Sequence, residues 1–215
     1  FHLSHRFVGF EPGQIVVRHK GKEARFPADI TIGADGPNSE VAKAAGIWTP
    51  RKVWGGIQAT IQGTYDPKTF DVFFGTGYDQ FFGWAVPEST TVSRVGIAAQ
   101  HKAREMFGRI TKVYPGKLFG WQSGPIPIYD KSIPVQNRER TVFLVGDAAG
   151  LVKATTGGGI ITGMLSSKVL SECITTNRDY AKALKPLRKD LMLHRLIRRT
   201  LNTFTDKDYD KLIAW

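Results

Sequence analysis

Thr141-Val142-Phe143-Leu144-Val145-Gly146-Asp147-Ala148-Ala149-Gly150-Leu151-Val152-Lys153-Ala154-Thr155-Thr156-Gly157-Gly158-Gly159-Ile160-Ile161-Thr162-Gly163-Met164 carries three signals in order. Residues 141–145 form a continuous apolar run, the mark of a strand buried on both faces. Gly146 and Gly150 bracket a tight turn in which backbone can approach a ligand closely. Three glycines then open an apolar helix expected over residues 160–174. Asp147 falls at the carboxyl end of the strand, where open α/β sheets bind their ligands. Its carboxylate can accept hydrogen bonds from sugar or polyol hydroxyls. The glycine triplet leaves helix-terminal N–H groups free, which favours an electron-rich ligand atom.

Working outward, residues 15–17 and 29–33 read as strands, with Gly21-Lys22 suited to a hairpin turn. Residues 34–39 are rich in turn formers and end in Ser39, an N-cap candidate for a helix over 40–45 that Gly46 would stop. Four strands are expected at 53–62, 70–75, 80–86 and 92–99, with short connections, which argues for an antiparallel sheet. This region is crowded with aromatics, among them Trp54, Phe73, Phe81, Phe82 and Trp84. A short helix is expected at 102–108, a brief extended piece at 126–128, and an amphipathic helical stretch over 180–204.

A 41% hydrophobic and 23% charged composition fits an ordinary globular protein and not a disordered one. Nothing approaches eighteen consecutive apolar residues, so no spanning helix is expected. The chain starts Phe1-His2-Leu3-Ser4, with neither an initiator Met nor a signal-peptide pattern, so it is expected to begin within a domain. The single cysteine, Cys173, cannot build a disulfide framework and is expected as core in a reducing compartment. A formal net charge of +11 attracts polyanions. Much of that excess lies in Lys182, Lys185, Arg188, Lys189, Arg195, Arg198 and Arg199. No zinc spacing, helix-turn-helix or RNP-like signature points to nucleic acid, and no metal site is expected.

Val145-Gly146-Asp147-Ala148-Ala149-Gly150 with Thr156-Gly157-Gly158-Gly159-Ile160 resembles the second flavin-contact motif of the geranylgeranyl reductase family of FAD-dependent proteins. Ile32-Gly33-Ala34-Asp35-Gly36-Pro37-Asn38-Ser39 resembles that family's segment near the cofactor phosphates. Phe82-Gly83-Trp84-Ala85-Val86-Pro87 resembles its substrate-cavity signature. The resemblance implies a mixed α/β fold: a partial, Rossmann-like FAD-binding domain (1–50 and 124–176), an antiparallel-sheet substrate domain (51–123) and a carboxyl-terminal helical region (177–215). It implies that Asp147 holds the ribityl chain, that Gly159 and Ile160 offer backbone N–H groups to the isoalloxazine, and that Gly158 is among the cofactor-binding residues. Gly146 would lie at the same contact, and Asp35 and Gly36 near the pyrophosphate. Phe82, Trp84 and Pro87 would line a lipid cavity. No catalytic residue is identified.

The implied activity is reduction of carbon–carbon double bonds in the geranylgeranyl chains of a prenyl phospholipid, with hydride from reduced flavin N5. The electron donor stays open between ferredoxin and reduced nicotinamide. Peripheral contact with the inner membrane face is implied, in the cytoplasm. The chain departs from the family in three ways. The GxGxxG element is absent, so the chain alone is expected to bind FAD poorly and to be inactive. Ala154-Thr155 stands where Pro is usual, and Val86 where Phe is usual. The alternative is an aromatic-hydroxylase-type flavin monooxygenase. Its first motif usually ends Ser-x-Val-Arg, against Ser39-Glu40-Val41-Ala42 here, and it usually carries Asn after the glycines, against Ile160.

Overall fold

The computed structural model describes residues 1–78 and 80–214. In chain order the elements are β1 (Arg6–Glu11), β2 (Gln14–His19), β3 (Lys22–Pro27), β4 (Thr31–Gly33), α1 (Glu40–Ala44), β5 (Val53–Gln62), β6 (Asp71–Phe73), β7 (Phe82–Pro87), β8 (Val92–Ala99), α2 (Ala103–Val113), β9 (Lys117–Pro127), β10 (Val142–Leu144), α3 (Ile160–Thr175), α4 (Tyr180–Ala183), α5 (Lys185–Leu201) and α6 (Asp206–Ile213). They form a mixed α/β fold, as expected. They divide into two compact units, Phe1–Arg51 with Pro127–Arg195, and Lys52–Ile126 with Leu196–Trp215. The region 177–215, expected as helical, holds α4, α5 and α6, and it is divided between the units.

In the first unit β1, β2 and β3 form an antiparallel meander, and β10 pairs with β4 in parallel. The hairpin between β2 and β3 turns at Lys20 and Gly21, both with positive φ (47° and 80°), the backbone that matches strand twist. Burial of all three β10 residues explains its unbroken apolar sequence. The Ser39 hydroxyl caps α1 by accepting from the Ala42 N–H at 2.9 Å. Leu144, Leu151, Leu170, Tyr180, Leu184 and Leu191 are fully buried in one core, and Cys173 lies in it. That core fixes the end of β10 against α3. The Tyr180 hydroxyl donates to the Leu144 carbonyl, and the buried Thr162 hydroxyl to the Leu151 carbonyl.

The second unit is a five-stranded sheet ordered β6-β7-β8-β5-β9. Ala59, Ile61, Ala85, Val95 and Ile97 form its inner face, covered by Met106, Phe107 and Ile110 of α2. This packing carries α2 through Gly108 to Val113, five residues beyond the end expected from that glycine; burial offsets glycine's cost of about 1 kcal/mol in a helix. The brief extended piece expected at 126–128 is the end of an eleven-residue edge strand, β9. Most of its side chains are exposed, so it lacks the alternation that marks a half-buried strand. Within the expected carboxyl-terminal helical region, α6 starts in a reciprocal Thr205–Asp208 capping box.

Candidate functional site

The parallel pairing of β4 with β10 sets Val142 beside Thr31, Phe143 beside Ile32 and Leu144 beside Gly33. Two segments more than a hundred residues apart therefore leave the same edge of one sheet together. From β4 emerges Ala34-Asp35-Gly36, and from β10 Val145-Gly146-Asp147. The Val145 N–H still donates to the Gly33 carbonyl at 3.0 Å, locking the two exits in register.

Beyond β10 the chain makes one turn of 3-10 helix over Gly146–Ala149. Gly146 has φ +55°, and a Cβ there would meet the Gly163 Cα at 3.6 Å. The turn is thus seated on α3, with the Gly146 N–H donating to the Ser166 hydroxyl at 3.2 Å. Gly159 is the N-cap of α3; no side chain caps this helix and its first turn holds no acid. Its terminal donors therefore keep their pull on electron-rich atoms. A Cβ on Gly159 would lie 2.5 Å from Asp147 Oδ1. The missing side chain is what lets the carboxylate lie against the helix start.

Gly36, Gly146, Asp147, Gly159 and Ile160 all line one cleft of about 740 Å³, together with Met164. Ile160 and Met164 expose apolar side chains at its mouth. Gly158 does not line it; its N–H turns to the Thr156 hydroxyl at 3.3 Å. Asp35 faces α1: one carboxylate oxygen accepts from the Ser39 hydroxyl at 2.6 Å, the other from the Val41 N–H at 3.1 Å. It shapes the turn that presents Gly36.

Asp147 is half-buried, and no described group donates to its side-chain oxygens. Burial pushes its carboxyl above the ordinary carboxylate value, and the Arg51 guanidinium pulls the other way. An acceptor with open lone pairs beside uncapped helix donors can bind a ligand carrying both hydroxyls and an electron-rich edge. Arg51 donates from Nη1 to the Asp147 carbonyl at 2.8 Å. The sequence reading missed it: one arginine between Pro50 and Lys52 carries no local signal.

In the second unit, Phe82 and Trp84 alternate with inner-face residues and so lie on the sheet face away from α2. Trp84 pairs with Gly96, and Gly96 with Gln58. The indole lies over Gly96, where a Cβ would come within 2.5 Å of the ring. It donates from Nε1 to Gln58 Oε1 at 2.8 Å, and Gln58 donates on to Gln122 at 2.7 Å. Phe82 stacks on Phe81 at 4.4 Å. Pro87 ends β7 three residues after Trp84, on the other alternation of the strand.

Of the seven carboxyl-terminal basic residues, three are committed within the fold. Arg188 donates to the Ile133 carbonyl, Arg195 pairs with Asp130 at 2.9 Å, and Arg198 is buried over the Phe81 ring. Lys182, Lys185, Lys189 and Arg199 remain exposed. Among the described residues no acidic, His or Cys cluster could hold a metal ion, and no helix is long and apolar enough to cross a membrane.

No protein-family model matches the chain. Digeranylgeranylglycerophospholipid reductase 3 of Methanosphaera stadtmanae is 29% identical over 220 aligned residues, covering 88% of this chain and 54% of that protein. The chloroplastic geranylgeranyl diphosphate reductase of Nicotiana tabacum is 29% identical over 75% of this chain and 37% of its own length. The chain thus spans about half the length, or less, of these curated relatives. Among solved structures, a geranylgeranyl bacteriochlorophyll reductase-like protein from Thermoplasma acidophilum superposes with a TM-score of 0.77 at 23% identity, covering 97% of this chain and 60% of that one. The chain is thus similar in sequence to geranylgeranyl reductases over most of its length, and it shares the fold of the Thermoplasma protein.

Proposed function

We propose that this chain is the flavin- and lipid-facing part of an FAD-dependent enzyme that reduces carbon–carbon double bonds in geranylgeranyl chains, with a prenyl phospholipid as substrate. The observation that carries the reading is the carboxylate of Asp147, half-buried and without a donor, against the uncapped, glycine-opened start of α3. These residues fit a flavin's sugar-alcohol chain and ring edge. Asp147 would accept from ribityl hydroxyls, and the N–H groups of Gly159 and Ile160 would face the edge that gains negative charge on reduction. Gly36 would stand near the pyrophosphate, with Asp35 shaping its turn. Bound and reduced, the flavin supplies a hydride.

The chain's own task is then to hold an alkene still and keep water out. A prenyl chain has no polar handle along its length, so apolar burial must hold it, at roughly 25 cal/mol per Å². Phe82 and Trp84 supply such a surface, and Gln58 fixes the Trp84 ring in place. Pro87, on the opposite alternation of β7, stands outside that wall. In the second unit's part of α5, Leu196 and Ile197 form an exposed apolar stripe, and Arg199 beside them is exposed. That stripe supports peripheral contact with an anionic membrane, where each basic residue near the surface adds about 1 kcal/mol. The electron donor stays open between ferredoxin and reduced nicotinamide.

The test is anaerobic. The full-length protein is reduced, given a digeranylgeranyl phospholipid, and the lipid is weighed by mass spectrometry. Gain of hydrogen pairs is expected. Incorporation of oxygen from O2 into a product would overturn the reading in favour of the monooxygenase. Absence of gain with any prenyl lipid would also overturn it.

A further inference from the structure

Arg51 lies on neither motif, yet it bonds to one and feels the charge of the other. Its Nη1 donates to the Asp147 carbonyl at 2.8 Å, the same oxygen that takes the Gly150 N–H at 3.0 Å and closes the turn. Its Nε and Nη2 are sealed from solvent and have no hydrogen-bond partner. Burial works against this cation, and the charges of Asp35 and Asp147 work for it. With two donors unpaired, pairing alone does not justify placing a guanidinium here. Its bond to the Asp147 main chain and the attraction of the Asp35 and Asp147 charges do. From the other side, Gly159, Gly163 and Ser166 of the α3 region meet the turn, and none of them titrates. Arg51 is the one charged group among the described residues that acts on the Asp147 carboxylate.

We propose that Arg51 is the positioning residue of the cleft: it ties down the Asp147 main chain and supplies the counter-charge that keeps the Asp147 carboxylate ionised and ready to accept ligand hydroxyls. The ligand half of this inference rests on the flavin reading above. The electrostatic half concerns the chain's own residues. Because burial pushes Asp147 toward its neutral form, losing Arg51 leaves that push unopposed. A protonated carboxyl has fewer lone pairs to offer hydroxyls.

The experiment follows the Asp147 carboxyl carbon by 13C NMR through a pH titration of the full-length protein, with D147N to assign the signal. Wild type, R51M, R51Q and R51K are compared, and flavin affinity is measured at each pH. R51Q keeps a donor without charge, and R51K keeps the charge without the guanidinium. The Asp147 midpoint is expected to rise by about one pH unit, a tenfold change in proton affinity, in R51M and R51Q. R51K is expected to return most of that rise. Flavin affinity of R51M and R51Q should fall as pH drops through the new midpoint. Midpoints that coincide in all four proteins would overturn the proposal, as would R51Q behaving like wild type. Should R51M fail to fold, R51Q against R51K decides. A shifted midpoint in a protein that binds no flavin at any pH would leave the Arg51–Asp147 coupling standing and sink the flavin reading instead.

Discussion

Gly159 and Gly96 do the same job in two different walls. In the first unit the space left by the missing Gly159 side chain is taken by the Asp147 carboxylate. In the second the space over Gly96 is taken by the Trp84 indole. Each glycine lets a larger side chain lie flat against backbone. The two outcomes differ in what holds that side chain. Trp84 has a neutral partner, Gln58, and an apolar neighbour, Phe82. Asp147 has no donor at its carboxylate and a half-buried charge. A wall whose groups satisfy one another contributes to stability. A wall that leaves an acceptor open does so at a cost in stability, which the proposed ligand would offset.

The sharpest way to break this comparison is Asp147→Ala. Charge-assisted hydrogen bonds contribute about 1.5–3 kcal/mol each, so flavin affinity of the full-length protein should fall by at least about tenfold. Its thermal stability should hold or rise, because a charge opposed by burial is removed. Loss of both would show Asp147 to be a fold residue. Gly96→Ala should do the reverse. Its Cβ meets the Trp84 ring at 2.5 Å, an overpacking cost of about 1–3 kcal/mol in denaturant melts, with flavin affinity kept.

Gly159→Ala is the finer probe. The new Cβ would press on Asp147 Oδ1, the free end of a side chain, so the carboxylate can swing aside. Flavin affinity should drop several-fold while stability changes by less than about 1 kcal/mol. Gln58→Leu strands the Trp84 N–H and should cost about 1–3 kcal/mol, read in the same melts.

The smallest effect is a pair of opposite pH slopes. Hydrogen bonds from Ser132, aided by Arg195, lower the Asp130 carboxyl to about 2. Its folded value lies below the unfolded one, so it contributes stability above pH 3.8 that is lost as pH falls toward about 2. Burial raises Asp147, so its folded value lies above the unfolded one. Its charge is a penalty at neutral pH, relieved as pH falls through the folded value toward the ordinary carboxylate range. Melting temperatures of D130N and D147N across an acid series should therefore approach wild type from opposite sides. Slopes of the same sign would contradict this assignment.

Part of this was legible in the residues. The run at 141–145 was legible as a buried strand, because it is short, rich in β-branched and aromatic residues, and stopped by Gly146. The Gly146-Asp147 turn and the glycine-opened helix were legible for the same local reason, as were Ser39 as a cap and the strands at 53–62 and 92–99. The strand β9 was not legible, because an exposed edge leaves no alternation. Neither was the full length of α2, because packing on the sheet outweighs Gly108.

What the sequence by itself determined is therefore local: which segments are strands, where the turns fall, and which motif family they resemble. Only the tertiary structure decided which motif residues share a space. Parallel pairing brought Gly36 and Asp147 to one edge, while Asp35 and Gly158 turned to neighbouring hydroxyls and N–H groups. It also brought in Arg51, 96 residues from Asp147. The physical reason is range. Backbone preference and hydrophobic period act over a few residues and are written in them. A charge meeting a carboxylate across the fold depends on the path of everything between.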